Sequence, residues 1–124
     1  MATLEITKDD FKATIDTNDI VLLDFWAAWC APCRRFGPIF EASSAKHAGV
    51  VHGKIDTEAQ PELAASFGIQ SIPTIAAFRQ GVLLFQQPGM LPGEALDDLI
   101  GQLQAVNMEE VHAEVAKQQQ AGHA

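Results

Sequence analysis

The segment Ile20–Ala27, IVLLDFWA, is a nearly continuous apolar run with aromatic character. A strand of that composition has no solvent face. It belongs inside a sheet covered on both sides, which is the arrangement of an α/β protein with a partly parallel sheet. Two oddities accompany the run. Asp24 puts a carboxylate inside it, and it leads directly into Trp29 and the chain's two cysteines, Cys30 and Cys33. With 124 residues, 48% of them hydrophobic and 19% charged, the chain has the size and balance of one ordinary domain rather than of a disordered segment. A domain of this length buries about two-thirds of its unfolded surface.

The flanking pattern alternates strands with helices. Leu4 and Ile6 fit a short strand, and Thr7 followed by Asp10 reads as a helix start whose apolar face is Phe11 and Ile15. After Cys33, Phe36, Ile39 and Phe40 fall at helical spacing, interrupted at Gly37-Pro38, where the proline ring removes a backbone donor and predicts a kink. Val50–Asp56 returns to strand. Glu58–Phe67 returns to helix, with Leu63, Ala64 and Phe67 on one face and Gly68 as its C-terminal cap. Ile75–Phe78 and Val82–Phe85, joined at Arg79-Gln80-Gly81, read as a β-hairpin. Leu96, Leu99, Ile100 and Leu103 stripe a last helix opened by Pro92-Gly93-Glu94. The early strands are expected to be parallel and the hairpin antiparallel. From Asn107 the character changes: Met108, Val111 and Val115 continue a helical pattern, whereas QQQAGHA after Lys117 is small and polar and is expected to fray.

A net charge of -8, with no basic cluster larger than Arg34-Arg35, argues against nucleic acid as a partner. No apolar stretch approaches the roughly 18 residues of a membrane span. The N-terminus MATLEITKDDFK has neither a basic n-region nor an apolar h-region, so a cytoplasmic protein is expected. In a reducing cytosol a persistent structural disulfide is disfavoured, which shifts weight towards catalysis or metal.

The cysteine pair admits three readings. A zinc site needs about four ligands, and neither His47 nor His52 lies in an H-x₃₋₅-H pattern or beside a second C-x₂-C, so a metal would have to bridge two chains. As a staple the pair would close a loop too short to remove much unfolded-state entropy. As a redox pair it has the right form. An i, i+3 spacing on a helix puts both thiols on one face within disulfide reach. A cysteine at a helix N-terminus meets the positive end of the dipole, which lowers its pKa from about 8.5 towards 7. Cys30 then attacks a target disulfide, and Cys33, one turn in and more buried, resolves the mixed disulfide. Pro32 stiffens the first turn. Asp24 reads either as a strand residue paired with Lys54 or as a desolvated carboxylate of raised pKa, poised as a general base.

WCAPC after VLLDFWAA, the kink proline Pro38, the segment KIDTEAQPELAASFGIQSIPT, and the later glycines Gly81 and Gly89 together resemble the thioredoxin family over about residues 3 to 105. The resemblance implies a thioredoxin fold: a central mixed sheet of four to five strands, in the order β1-β3-β2-β4-β5 when numbered along the chain, flanked by about four helices. It implies a domain over 1–106, and 107–124, a helical extension and polar tail by its own pattern, lies beyond the resemblance. It implies protein-disulfide reductase activity, with no bound cofactor, no metal, a thioredoxin reductase that uses NADPH to restore the dithiol, protein disulfides as substrates, and a monomer with no membrane partner. Asp24 becomes the buried acceptor of the Cys33 proton, with Lys54 as its partner. Pro73, on base rates a trans proline, becomes a cis-proline facing the cysteines, with the backbone of Ile72 available to an extended substrate. Trp29, Ala31, Pro32, Ile72, Pro73 and Gly89 become the docking rim, and Trp26 a packing residue.

Two departures stand out. Ala31 replaces the glycine common between such cysteines, and Met90 follows Gly89 on the rim, so redox poise and partner choice are open to change. The absence of histidine between the cysteines favours a reductant over an oxidase or isomerase. A binding or chaperone subunit of the same fold is the alternative from another class; intact cysteines and Asp24 weigh against it. His47, His52, His112 and His123 read as solvated or locally bonded, and Asp97-Asp98 and Glu109-Glu110 as exposed helix charge.

Overall fold

The computed structural model describes residues 2–121. Five strands and five helices follow one another as β1 (Thr3–Glu5), α1 (Phe11–Thr17), β2 (Ile20–Trp26), α2 (Ala31–Lys46), β3 (Val51–Asp56), α3 (Pro61–Ser66), β4 (Thr74–Arg79), β5 (Val82–Pro88), α4 (Gly93–Ala105) and α5 (Met108–Ala121). The strands form one sheet in the order β1-β3-β2-β4-β5, with β1, β3 and β2 parallel and β4 and β5 antiparallel. β2 is interior, and all its residues except Trp26 are buried, Asp24 included, as the nearly continuous apolar run demands.

Strand alternation divides the core between two layers. Ile20 and Leu22 of β2 meet Phe36 and Phe40 of α2 and Leu96, Leu99, Ile100 and Leu103 of α4. Val21, Leu23 and Phe25 face the other way, onto Phe11 and Ile15 of α1, Leu63 of α3 and Phe67 just after it. His52 of β3 belongs to the α2 layer, where its ring lies 5.0 Å from Phe40. Its Nδ1 donates to the Val50 carbonyl (3.0 Å) and its Nε2 accepts from the Ser43 hydroxyl (2.9 Å), so the buried imidazole is fully bonded within the chain.

Several boundaries differ from expectation for local reasons. α2 begins at Ala31, directly after Cys30 as expected, and holds Pro38 inside it. α3 starts at Pro61 rather than Glu58, because Asp56 Oδ1 takes the N–H groups of Glu58 (2.9 Å) and Ala59 (3.4 Å) into a turn first. Gly68, at φ 66°, ends α3 as expected, with its N–H on the Ala65 carbonyl. β5 continues three residues beyond Phe85, to Pro88. α4 ends at Ala105 with Val106 as its C-cap, and α5 is a separate helix that takes in Gln118–Ala121 of the segment expected to fray, whose residues 122–124 lie outside the described ones. Among the other histidines, His47 donates to Asp97 (2.7 Å), which also pairs with Lys46, so Asp97 is not merely exposed charge. His112 donates to Gln80 (2.9 Å), and His123 lies outside the described residues.

Candidate active site

β2 ends at Trp26, and the chain turns outward through Ala28 and Trp29 before α2 begins. Cys30 is the N-cap of α2, with extended backbone at φ -87° and ψ 113°. Its N–H donates to Ala27 O (3.2 Å), its carbonyl accepts the Arg34 N–H (3.1 Å), and its sulfur accepts the Cys33 N–H (3.2 Å). Pro32 occupies the first turn, where its missing donor costs no intrahelical bond. Cys30 and Cys33 are joined as a disulfide, with Cα atoms 5.2 Å apart. Both residues are 4% exposed, so Cys33 is not the more buried of the two by area. They differ in access: Cys30 opens onto a surface groove whose lining does not include Cys33.

That groove holds about 500 Å³ and is lined by Trp29, Cys30, Ala31, Pro32 and Ile72, together with Thr57, Ala64 and the segment Ile69–Ser71. The second group comes from the end of β3, from α3 and from the loop after it. None of these was singled out from the sequence as lining the site: Ala64 reads as core, and Thr57 and Ile69–Ser71 stand in the segment that carries the resemblance without a reactive group that marks them. Trp29 is 67% exposed and is held by its indole N–H on Glu58 Oε1 (2.8 Å). The Ile72–Pro73 peptide is cis, and the Ile72 carbonyl lies 3.6 Å from Cys30 Sγ. Pro73 itself is buried and does not line the groove, so it contributes backbone rather than an exposed rim. Its carbonyl accepts the Gly89 N–H (2.8 Å), which ties the exposed Gly89–Met90 segment to the proline loop.

Asp24 projects from β2 on the layer shared with Leu22, two residues nearer the end where α2 begins, and is 0% exposed. Neither carboxylate oxygen has a hydrogen-bond partner in the chain. Burial therefore raises its pKa from 3.8 to about 7, against an opposing pull from Lys54. Lys54 is its register partner on β3, yet the two make no contact ion pair; the ammonium lies over the Trp26 ring, 4.7 Å from the centroid. No group of three or more His, Cys, Asp or Glu among the described residues could hold a metal ion.

The arrangement is that of a dithiol–disulfide pair at a helix N-terminus beside an apolar groove, with a hard-to-ionise carboxylate on the strand leading into it. The Thioredoxin family model matches residues 2–102. A thioredoxin-named protein of Streptomyces coelicolor is 52% identical over 122 residues, 98% of this chain and 91% of its own length, so that similarity continues through the C-terminal extension. The thioredoxin of Alicyclobacillus acidocaldarius is 40% identical over 97 residues, 77% of this chain and 92% of its own. Among solved structures, Plasmodium falciparum thioredoxin superposes with a TM-score of 0.74 at 30% identity, covering 81% of this chain and 98% of its own. A thioredoxin variant from Halobacterium salinarum gives 0.78 at 28%, over 84% and 92%. Site, fold and relatives agree: the chain belongs to the thioredoxin family and is a thiol–disulfide oxidoreductase that reduces protein disulfides.

Proposed function

We propose that the Cys30–Cys33 pair works as a reductant with distinct roles for its two sulfurs. The Cys30 thiolate attacks one sulfur of a target disulfide, the target's S–S bond breaks, and a target thiolate leaves. Cys33 then loses its proton to Asp24 and attacks Cys30 Sγ, which releases the second target thiol and leaves the pair oxidised. A reductase drawing on NADPH returns two electrons to restore the dithiol. The observation that carries this assignment is the Cys33 N–H on Cys30 Sγ at the N-terminus of α2, a setting that favours a thiolate at Cys30 and nowhere else in the chain.

The remaining residues supply binding and proton handling. Trp29, Ala31, Pro32 and Ile72 present the apolar groove wall to a flexible target segment, and the cis-Pro73 loop with Gly89 offers backbone to it. Lys54 limits how far the Asp24 pKa rises. Residues 1–106 form the redox unit and 107–124 an appendage. A monomer carrying electrons between a thioredoxin reductase and protein disulfides suits a reducing compartment such as the cytoplasm.

Insulin reduction coupled to a thioredoxin reductase and NADPH tests the assignment. Wild type turns over and Cys30→Ser does not; turnover that survives Cys30→Ser contradicts it. A reduction potential of about -270 mV supports a reductant, whereas one of about -120 mV identifies an oxidase.

A further inference from the structure

Arg34 and Arg35 follow Cys33 directly in a chain of net charge -8 whose other cations are dispersed. Both are exposed, but they behave differently. Among the described residues Arg35 makes no ion pair or side-chain hydrogen bond. Arg34 instead folds back six residues, and its Nη1 donates to the Ala28 carbonyl at 2.9 Å. Its own N–H meets the Cys30 carbonyl at 3.1 Å. One residue therefore grips both ends of the Ala28–Cys30 turn, while Glu58 holds Trp29 in the middle of it.

We propose that Arg34 is a positioning residue of the redox site: its guanidinium fixes the Ala28–Cys30 turn and holds a permanent positive charge near Cys30, favouring the reduced, thiolate form of the pair. The proposal rests on Cys30 being the nucleophile. Two Cα steps of about 3.8 Å separate Ala28 from Cys30, so the cation acts within about one Debye length at physiological salt. Guanidinium stays charged wherever a thiol titrates, and its planar fork holds a carbonyl in a geometry that a lysine ammonium does not reproduce. The other charges around the pair are accounted for. Asp24 from β2 and Lys54 from β3 lie beneath α2, Asp56 caps the turn after β3, and Glu58 is bonded to Trp29. The segments 69–74 and 86–93, which complete the surroundings, contain no titratable side chain. Arg34 is thus the cation bonded to the turn itself.

The test follows iodoacetamide alkylation of Cys30 against pH in the reduced protein, with modification mapped by mass spectrometry and folding checked by thermal unfolding. Wild type is compared with Arg34→Gln, Arg34→Lys and Arg35→Gln. Arg34→Gln is expected to raise the apparent Cys30 pKa by about half a unit, an approximately three-fold loss of thiolate below that pKa, in keeping with one exposed charge. Arg34→Lys recovers part of this, and Arg35→Gln, the same charge loss one residue away, changes it less than Arg34→Gln. The equilibrium with glutathione shifts about three-fold against the reduced form in Arg34→Gln. An Arg34→Gln profile coinciding with that of Arg35→Gln overturns the proposal. A wild-type Cys30 titrating as an ordinary thiol, near about 8.5, overturns the nucleophile assignment and the proposal with it.

Discussion

Asp24 sits fully buried in the middle of β2 with both carboxylate oxygens unpartnered, and its pKa is raised from 3.8 to about 7. Between those values the folded chain holds a proton that the unfolded chain has released. The folded state thus binds more protons, so stability falls as pH rises from about 4 to about 7 and stays reduced above that. A difference of this size corresponds to about 4 kcal/mol. Asp24→Asn removes the penalty: urea unfolding should show the variant about 2–4 kcal/mol more stable than wild type at pH 8 and near parity at pH 4, while insulin turnover falls about ten-fold or more because the amide accepts no proton. Equal stability of variant and wild type at pH 8 contradicts burial as the source of the shift. His52 acts in the opposite sense. Burial holds its pKa below 6.5, so the unfolded chain takes up protons that the folded chain refuses, and this contribution weakens stability as pH falls below 6.5. Asp24 was conspicuous in the sequence because a charge in an apolar run has few explanations. His52 was not, because only the fold supplies Ser43 and the Val50 carbonyl as its partners.

β3 shows how closely the elements are fitted. Gly53 lies between β1 and β2, and a Cβ there would collide with Ile6 Cδ1 and press on Leu23 Cδ2 at 3.2 Å. Both neighbours are buried, so Gly53→Ala should cost about 1–3 kcal/mol in chemical denaturation, as overpacked cores do; a loss below about 0.5 kcal/mol would show that Ile6 moves aside freely. The elements themselves were largely readable from periodicity and end signals, since β2, α2, the hairpin and α4 each carry a recognisable apolar pattern even where Asp24 or Gly37-Pro38 interrupts it. The ends were less so. An aspartate that caps its own turn delays α3 to Pro61, and no pattern in the sequence ranks that bond above an earlier helix start. The break at Val106 before α5 likewise follows from Asn107, whose side chain takes the Glu110 N–H at 3.2 Å and opens a new helix.

Across the whole molecule the two ends of the sheet have separate duties. At one end the turn into α2, the end of β3, α3 and the loop before Pro73 come together and form the groove. At the other, Arg79 joins Asp19 to the Leu103 and Gln104 carbonyls at the end of α4, and α5 returns to Gln80 through His112. The alternation of strands and helices made an α/β sheet legible, and the family resemblance supplied its strand order. The groove was legible only in part: Trp29, Ala31 and Pro32 adjoin the cysteines and the resemblance pointed to Ile72, whereas Thr57, Ala64 and Ile69–Ser71 reach the groove by tertiary packing. Attack by Cys30 and resolution by Cys33 are separated by one trapping experiment, in which reduced Cys33→Ser protein is mixed with an oxidised protein substrate and the linked peptides are mapped by mass spectrometry. A stable mixed disulfide through Cys30 is predicted, and the corresponding Cys30→Ser protein should trap little or nothing. Capture through Cys33 in the Cys30→Ser protein, with none through Cys30 in its counterpart, would contradict the account.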